Sequence, residues 1–360
     1  MIKSRAAPLR VLTSDDATDY HRLIYDRLAG FVIDRGLNRI AGWNGGHLGS
    51  VLHDVEVFHL HWPEWLLGPN IEEHRSFVDA LHRAEVSIVW SQHNIRPHSD
   101  RSEWRAIYQL WAHAADGVIH HSKWGKDTAL AVQRYRRSCR HLVAYHPHFG
   151  PMLASHEPRS EIEARLGWRR DVLRLVIVGS PRPGKKVVDA MTAFSRCRRS
   201  DVELRIFSLA ESDRIPDDRR VFAERYTRVD RTTYDRRLAA SDALIMPYHH
   251  TPMLTTGTVA DAIAHGLPCL VSEWPFLPET LGDAAIVYGS SPSDLVEFLN
   301  RLDQPTLARA AAAARTLQGP LSAHRIAHTV YDFLQEIRRA KKPQAVQTEP
   351  DRHAAEVATG

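Results

Sequence analysis

The chain has 360 residues, 43% hydrophobic and 25% charged, with a mean hydropathy of −0.35. That length suits two domains of roughly 150–180 residues rather than one, and no apolar run of about 18 residues is present to span a membrane. A net charge of +4, from 47 Lys+Arg against 43 Asp+Glu, is too mild for nucleic-acid binding. Three isolated cysteines, Cys139, Cys197 and Cys269, argue against a disulfide framework and fit a reducing cytoplasm.

In chain order, Leu9–Thr13 reads as a first strand, since its apolar stretch is too short for a signal-peptide core. Tyr20–Arg35 has apolar residues at helical spacing (Leu23, Ile24, Leu28, Phe31, Val32). Val55–Leu60 is a strand broken by Trp62-Pro63, Ile71–Arg83 a helix, and Val86–Trp90 a strand ending at Gln92-His93-Asn94. Trp104–Ala115 is helical, and Gly117–His120 and Leu142–Tyr145 are short strands. Between them Lys123–His141 reads as a basic helix, either a solvated face or a surface for an anionic membrane. Residues 151–170 are polar with Pro151, Pro158 and Gly167, as an interdomain connection would be.

The strand–helix pattern restarts at Leu173–Gly179 with helix Val187–Phe194, then strands at Val202–Phe207, Ala243–Met246, Pro268–Val271 and Ala285–Tyr288. Helices follow at Ser293–Leu302 and Ala323–Arg339, the last able to pack back on the first domain, and the tail 341–360 reads as disordered. Alternation of this kind implies parallel sheets. The expected architecture is α/β: a Rossmann-like domain over 1–150, a second over 171–340, and a central cleft at the carboxyl ends of their strands.

Two strand–loop–helix units of the second domain carry charge chemistry. Ser180–Lys186 places Arg182 and Lys185 near a helix start, and Thr255-Thr256-Gly257-Thr258 opens the helix ending at His265. Free amides and the dipole at such a start favour an anion, and the pairing suits a diphosphate without a metal. Gly257 is the residue expected to allow close approach of the loop to that anion. In the first domain, Trp62 and Trp65 beside Glu64 suit a sugar ring. Glu64, Asp15 and Asp16 are the carboxylates available as a general base, and His93 is a candidate sugar contact or base. His59, His61, His146 and His148 lack the Cys or carboxylate partners of a metal site, so no metal is expected.

These motifs resemble the family-4-type superfamily of GT-B glycosyltransferases over roughly residues 9–335. Arg182 and Lys185 match the Arg and Lys that hold the donor diphosphate. Asp242 before its strand, Pro247-Tyr248, the small-residue loop, His265-Gly266-Leu267-Pro268 and Pro278-Glu279 are similar to the rest of that signature. Two glutamates eight positions apart are usual there. Here the second position is Asp261 and the first is Met253, which is closer to the exopolysaccharide-type branch with a Thr/Ser-Gly-Thr/Ser loop. Ser14–Tyr20 and the segments around His59 and His93 are similar to its cleft loops. The resemblance implies a glycosyltransferase moving a sugar from a nucleotide-diphosphate sugar to a glycan or lipid-linked acceptor in polysaccharide or glycoconjugate biosynthesis. Donor binding would fall to Arg182, Lys185, Thr256, Gly257, Thr258, Asp261 and Glu279, acceptor binding to Asp15, Tyr20, Trp62 and Trp65, and catalysis to His93, Glu64 and Asp16. No cofactor is implied. The expected place is the cytoplasm, with peripheral contact at the inner membrane face. A GT-B-like nucleotide-sugar epimerase and a catalytically silent sugar-nucleotide binder are the alternatives.

Overall fold

A computed structural model describes residues 7–37, 51–97, 101–154, 157–182, 184–249 and 252–341. Aliphatic and β-branched runs form twelve strands in two six-stranded sheets, and every strand pairing is parallel. The first sheet is ordered β2-β1-β3-β4-β5-β6, with β1 Leu9–Thr13, β2 Val32–Gly36, β3 Val57–Leu60, β4 Ser87–Gln92, β5 Gly117–His120 and β6 Arg140–Val143. The second is ordered β12-β11-β10-β7-β8-β9, with β7 Leu173–Ile177, β8 Val202–Leu209, β9 Val221–Arg225, β10 Ala243–Met246, β11 Cys269–Ser272 and β12 Ala285–Gly289. Parallel strands need crossovers, and the crossover helices cover both faces of each sheet, which leaves the central strands buried throughout (β3, β4, β7, β8 and β10 entirely).

The strand order reverses between β1 and β3 in the first sheet and between β7 and β10 in the second. Loops on either side of such a reversal leave in opposite directions and open a crevice at the carboxyl ends of the strands. Both crevices face each other here.

The structure departs from the sequence reading at several places. Helix Tyr20–Arg35 is not formed: the helix Asp19–Tyr25 gives way to a 3-10 turn at Asp26–Leu28, Gly30 takes φ of 86°, and Val32–Gly36 becomes edge strand β2. The left-handed glycine ends the helical path, and the β-branched Val32-Ile33 pair favours the strand that follows. The basic helix from Lys123 stops at Val132, where Gln133 turns extended, and Arg140 already belongs to β6. Within the polar connection a helix forms at Arg159–Leu166, ended by Gly167 at φ of 64°. Its polar Glu163 is buried on Arg174 at 2.6 Å, so its inward face is an ion pair rather than an apolar stripe. The tail expected to be disordered lies, after Lys341, outside the described residues.

The C-terminal helix Ala323–Lys341 crosses back onto the first sheet. Lys341 Nζ donates to Val86 O at 2.6 Å and reaches Asp116 at 3.2 Å, and Arg338 pairs with Glu56 at 3.0 Å. Ile337 and Phe333 fill the space above Gly117, where a Cβ would lie 2.8 and 2.9 Å from their side chains. Close-packed interiors resist added volume. Gly117→Val should therefore lower unfolding stability by about 1–3 kcal/mol by lifting that helix off β5, read as a lower denaturation midpoint, with Ile337→Ala restoring part of the loss.

Candidate active site

A concave site of about 860 Å³ lies between the two sheets and takes its walls from both. That volume suits a nucleotide-sized ligand. The units are stitched at its edge: Asn94 and Met253 form an antiparallel bridge, Leu254 N–H donates to His93 O at 2.9 Å, and Ile95 N–H donates to Pro252 O at 2.9 Å.

On the second-unit wall, β7 ends at Gly179, whose φ of 88° turns the chain sharply into the loop carrying Arg182 and Lys185. This loop is zipped to the one after β10 by Lys186 N–H to Pro247 O at 2.8 Å and His249 N–H to Gly184 O at 2.7 Å. Thr256 caps the helix Gly257–His265, its hydroxyl accepting from Thr258 N–H. Tyr248 O–H donates to Thr258 Oγ1 at 3.3 Å, and Lys185 Nζ lies 5.4 Å from the Tyr248 ring centre. Lys185 and Thr258 converge on Gly179: a Cβ there would lie 2.8 Å from Lys185 Nζ and 3.4 Å from Thr258 Oγ1. Gly179, rather than Gly257, is the glycine of this wall at which an added Cβ would come within 3 Å of a neighbour. A Cβ on Gly257 would only touch the Phe149 ring at 3.4 Å, and its backbone is not left-handed.

Arg182 and Lys185 both line the cleft and carry no ion pair among the described residues. Two cations thus sit before a capped helix start with no carboxylate paired to them.

Asp261 also lines the cleft, one turn into that helix. Its carboxylate accepts from Tyr234 O–H at 2.9 Å and meets Arg231 at 3.2 Å. Burial raises its pKa from 3.8 to about 6, against the lowering pull of Arg231 and Tyr234. Glu279 is placed elsewhere. Its carboxylate accepts from the amides of Lys123 and Trp124, the latter at 2.8 Å, and from Tyr145 O–H at 3.0 Å. It caps the first-unit helix Lys123–Val132 from the opposite unit and is absent from the cleft wall.

The first-unit wall is aromatic. Trp62 stacks on His93 (ring centres 4.2 Å apart, 14° between planes) and lies 4.4 Å from Trp65, which is 61% exposed. Glu64 accepts from Tyr108 O–H at 2.8 Å. Burial pushes its carboxyl above the usual range, with Tyr108 and Arg182 opposing. His93 is held well below the usual histidine range by burial and by neighbouring His121 and His146, so it is neutral. Tyr20 meets His93 edge-on at 4.9 Å. Asp15 and Asp16 are buried off the cleft wall: Asp15 accepts from Ala17 N–H at 3.1 Å as a turn cap, and Asp16 packs against Gly36. His59 spends both ring nitrogens on Tyr25 and Ser91, at 2.6 and 2.8 Å, and no group of three ligating side chains is arranged for a metal among the described residues.

Sequence reasoning missed the wall formed by Phe207, Tyr226–Val229, Arg231, Tyr234 and Arg237. Helix Arg231–Ala239 buries Asp235 and Leu238, the former on Arg231 and His265, so it has no apolar period to find. The strand before it, β9, is short and alternately exposed at a sheet edge.

The Asp261 environment predicts a specific pH dependence. A carboxyl raised in the fold costs stability as pH climbs from the unfolded value of 3.8 through about 6, and the cost is complete above that. Asp261→Asn removes it: the variant should be more stable than the parent by about 2–3 kcal/mol at neutral pH, with the difference vanishing at pH below the unfolded value, measured by denaturation across pH.

No family model matches the chain and no curated protein matches it. Solved structures do. HepE of Anabaena, in complex with UDP-glucose, has a TM-score of 0.70 at 14% identity, covering 91% of this chain and 100% of that one. The sucrose-phosphate synthase of Thermosynechococcus elongatus has a TM-score of 0.71 at 12% identity, covering 93% of this chain and 100% of that one. An E. coli trehalose-6-phosphate structure bound with UDP-2-fluoro glucose has a TM-score of 0.63 at 9% identity, over 92% of this chain and 99% of that one. The fold of this chain is GT-B, two Rossmann-like units facing a central cleft.

Proposed function

We propose that the chain is a glycosyltransferase taking its sugar from a nucleotide-diphosphate sugar, a uridine diphosphate hexose in the first instance, and passing it to a hydroxyl of a glycan. The observation that carries this reading is the pair of unpaired cations, Arg182 and Lys185, in front of the Thr256-capped helix at the strand-order reversal. Neighbours of the same fold hold UDP-glucose and UDP-2-fluoro glucose, which supports the donor class.

The diphosphate would lie between Arg182, Lys185 and the amides opening helix Gly257–His265. As the bond from the sugar carbon to the diphosphate breaks, charge grows on the departing oxygen, and fixed cations with helix amides stabilise it there. Asp261, held by Tyr234 and Arg231, would accept from a ribose hydroxyl. Trp62 and Trp65 offer apolar faces to the acceptor ring, and neutral His93 a hydrogen bond to the transferred sugar. Glu64 is the carboxylate nearest those rings in sequence and on the wall, and its raised pKa suits acceptance of the acceptor proton.

Arg182→Ala and Lys185→Ala should each weaken UDP binding by about 1.5–3 kcal/mol, roughly 10- to 100-fold, without lowering the unfolding midpoint. Calorimetric titration with UDP measures this; unchanged affinity in both variants contradicts the diphosphate site. Transfer should also persist in EDTA, because protein cations supply the charge that a divalent ion supplies in other enzymes. Loss on chelation, restored by one metal, contradicts that expectation.

A further inference from the structure

The basic stretch from Lys123 is helical only to Val132, and its Arg134 turns toward a groove of the first unit. That groove, of about 1270 Å³, is lined by Arg75, Arg96, Arg101, Arg105 and Arg134, and no carboxylate lines it among the described residues. Arg75 is held by Glu72 at 2.6 Å. Arg101, Arg105 and Arg134 have exposed side chains and no ion pair among the described residues. Guanidinium forks match phosphate oxygens in shape and charge.

The same groove is apolar between its arginines. Ile71, Ile95 and Leu110 are half-buried along it, and Val132 is 58% exposed at its margin, two residues beyond Leu130 at 43%. Trp104 and Tyr108 are 5% and 2% exposed, which leaves His113 as the one exposed ring among the groove's described residues, too little for a stacking platform. An acidic peptide or a nucleic acid would satisfy the arginines and leave the aliphatic margin against water. A ligand with a phosphate and a hydrocarbon chain satisfies both.

We propose that this groove docks the chain on a membrane through an anionic phospholipid. Its phosphate would be held by Arg101, Arg105 and Arg134, and its first acyl carbons would lie against Leu110 and Val132. Tyr108 lines the groove and donates to Glu64 on the cleft wall at 2.8 Å, so docking here sets the cleft beside the bilayer. The proposal does not depend on the donor chemistry.

Vesicle flotation tests it. The full chain should float with phosphatidylcholine vesicles containing phosphatidylglycerol, not with phosphatidylcholine alone, and added salt should release it. The Arg101→Glu/Arg105→Glu/Arg134→Glu variant should lose binding by at least about tenfold, since each basic side chain near an anionic surface adds to the attraction. Its unfolding midpoint reports whether it folds, and Val132→Ser, which leaves the charge intact, should weaken flotation as well. Lys126→Glu/Arg137→Glu, basic positions outside the groove, should float like the parent. No flotation, equal flotation on neutral vesicles, or an equal loss in the outside variant overturns the proposal. So does a melting shift with inorganic phosphate that is unaccompanied by flotation.

Discussion

Positive charge gathered on one wall is the constraint around which the cleft is organised. Lys185 is brought against Gly179 and Thr258, beside Arg182 and in front of helix Gly257–His265. The arrangement gathers positive charge at the positive end of a helix. It persists because the backbone over-determines it. The loops after β7 and β10 are hydrogen-bonded to each other at Lys186–Pro247 and His249–Gly184, and the first of them turns at Gly179 with φ of 88°, a backbone that favours glycine.

The two sheets hold that charge opposite an aromatic wall through contacts that cross between units. Backbone pairing of His93–Ile95 with Pro252–Leu254 fixes the edge of the cleft, and the carboxylate of Glu279 caps a helix of the other unit. Trp124 packs edge-on to Trp274 at 5.6 Å beside this cap, and the C-terminal helix ties the second unit back to β5. Domain closure is therefore built from a few directional bonds and one returning helix.

Much of this was legible in the sequence where a residue's type carried its own geometry. Thr256 before a glycine and an apolar period signals a capped helix, and Arg182 and Lys185 after a buried strand signal charge at a strand end; the structure places all three on the cleft wall. Trp62, Trp65, Glu64, His93, Tyr20 and Asp261 reach or line the same space. What failed depended on distant partners. Glu279 looks like a cleft residue until the amides of Lys123 and Trp124 arrive from the other unit, and Asp15 and Asp16 are buried beside their own turn and Gly36, off the cleft wall. Helix Arg231–Ala239 was invisible because ion pairs, rather than apolar residues, cover its inner face. The strand β2 was read as helix because five residues at a sheet edge show too little alternation to compete with a neighbouring helical run.

The most direct measurement is a crystal structure of the chain soaked with UDP-glucose. The account predicts diphosphate oxygens within hydrogen-bond distance of Lys185 Nζ, the Arg182 guanidinium and the amides of Gly257 and Thr258, with the hexose toward His93. A diphosphate bound elsewhere in the cleft, or Lys185 and Arg182 turned away from it, would contradict the account.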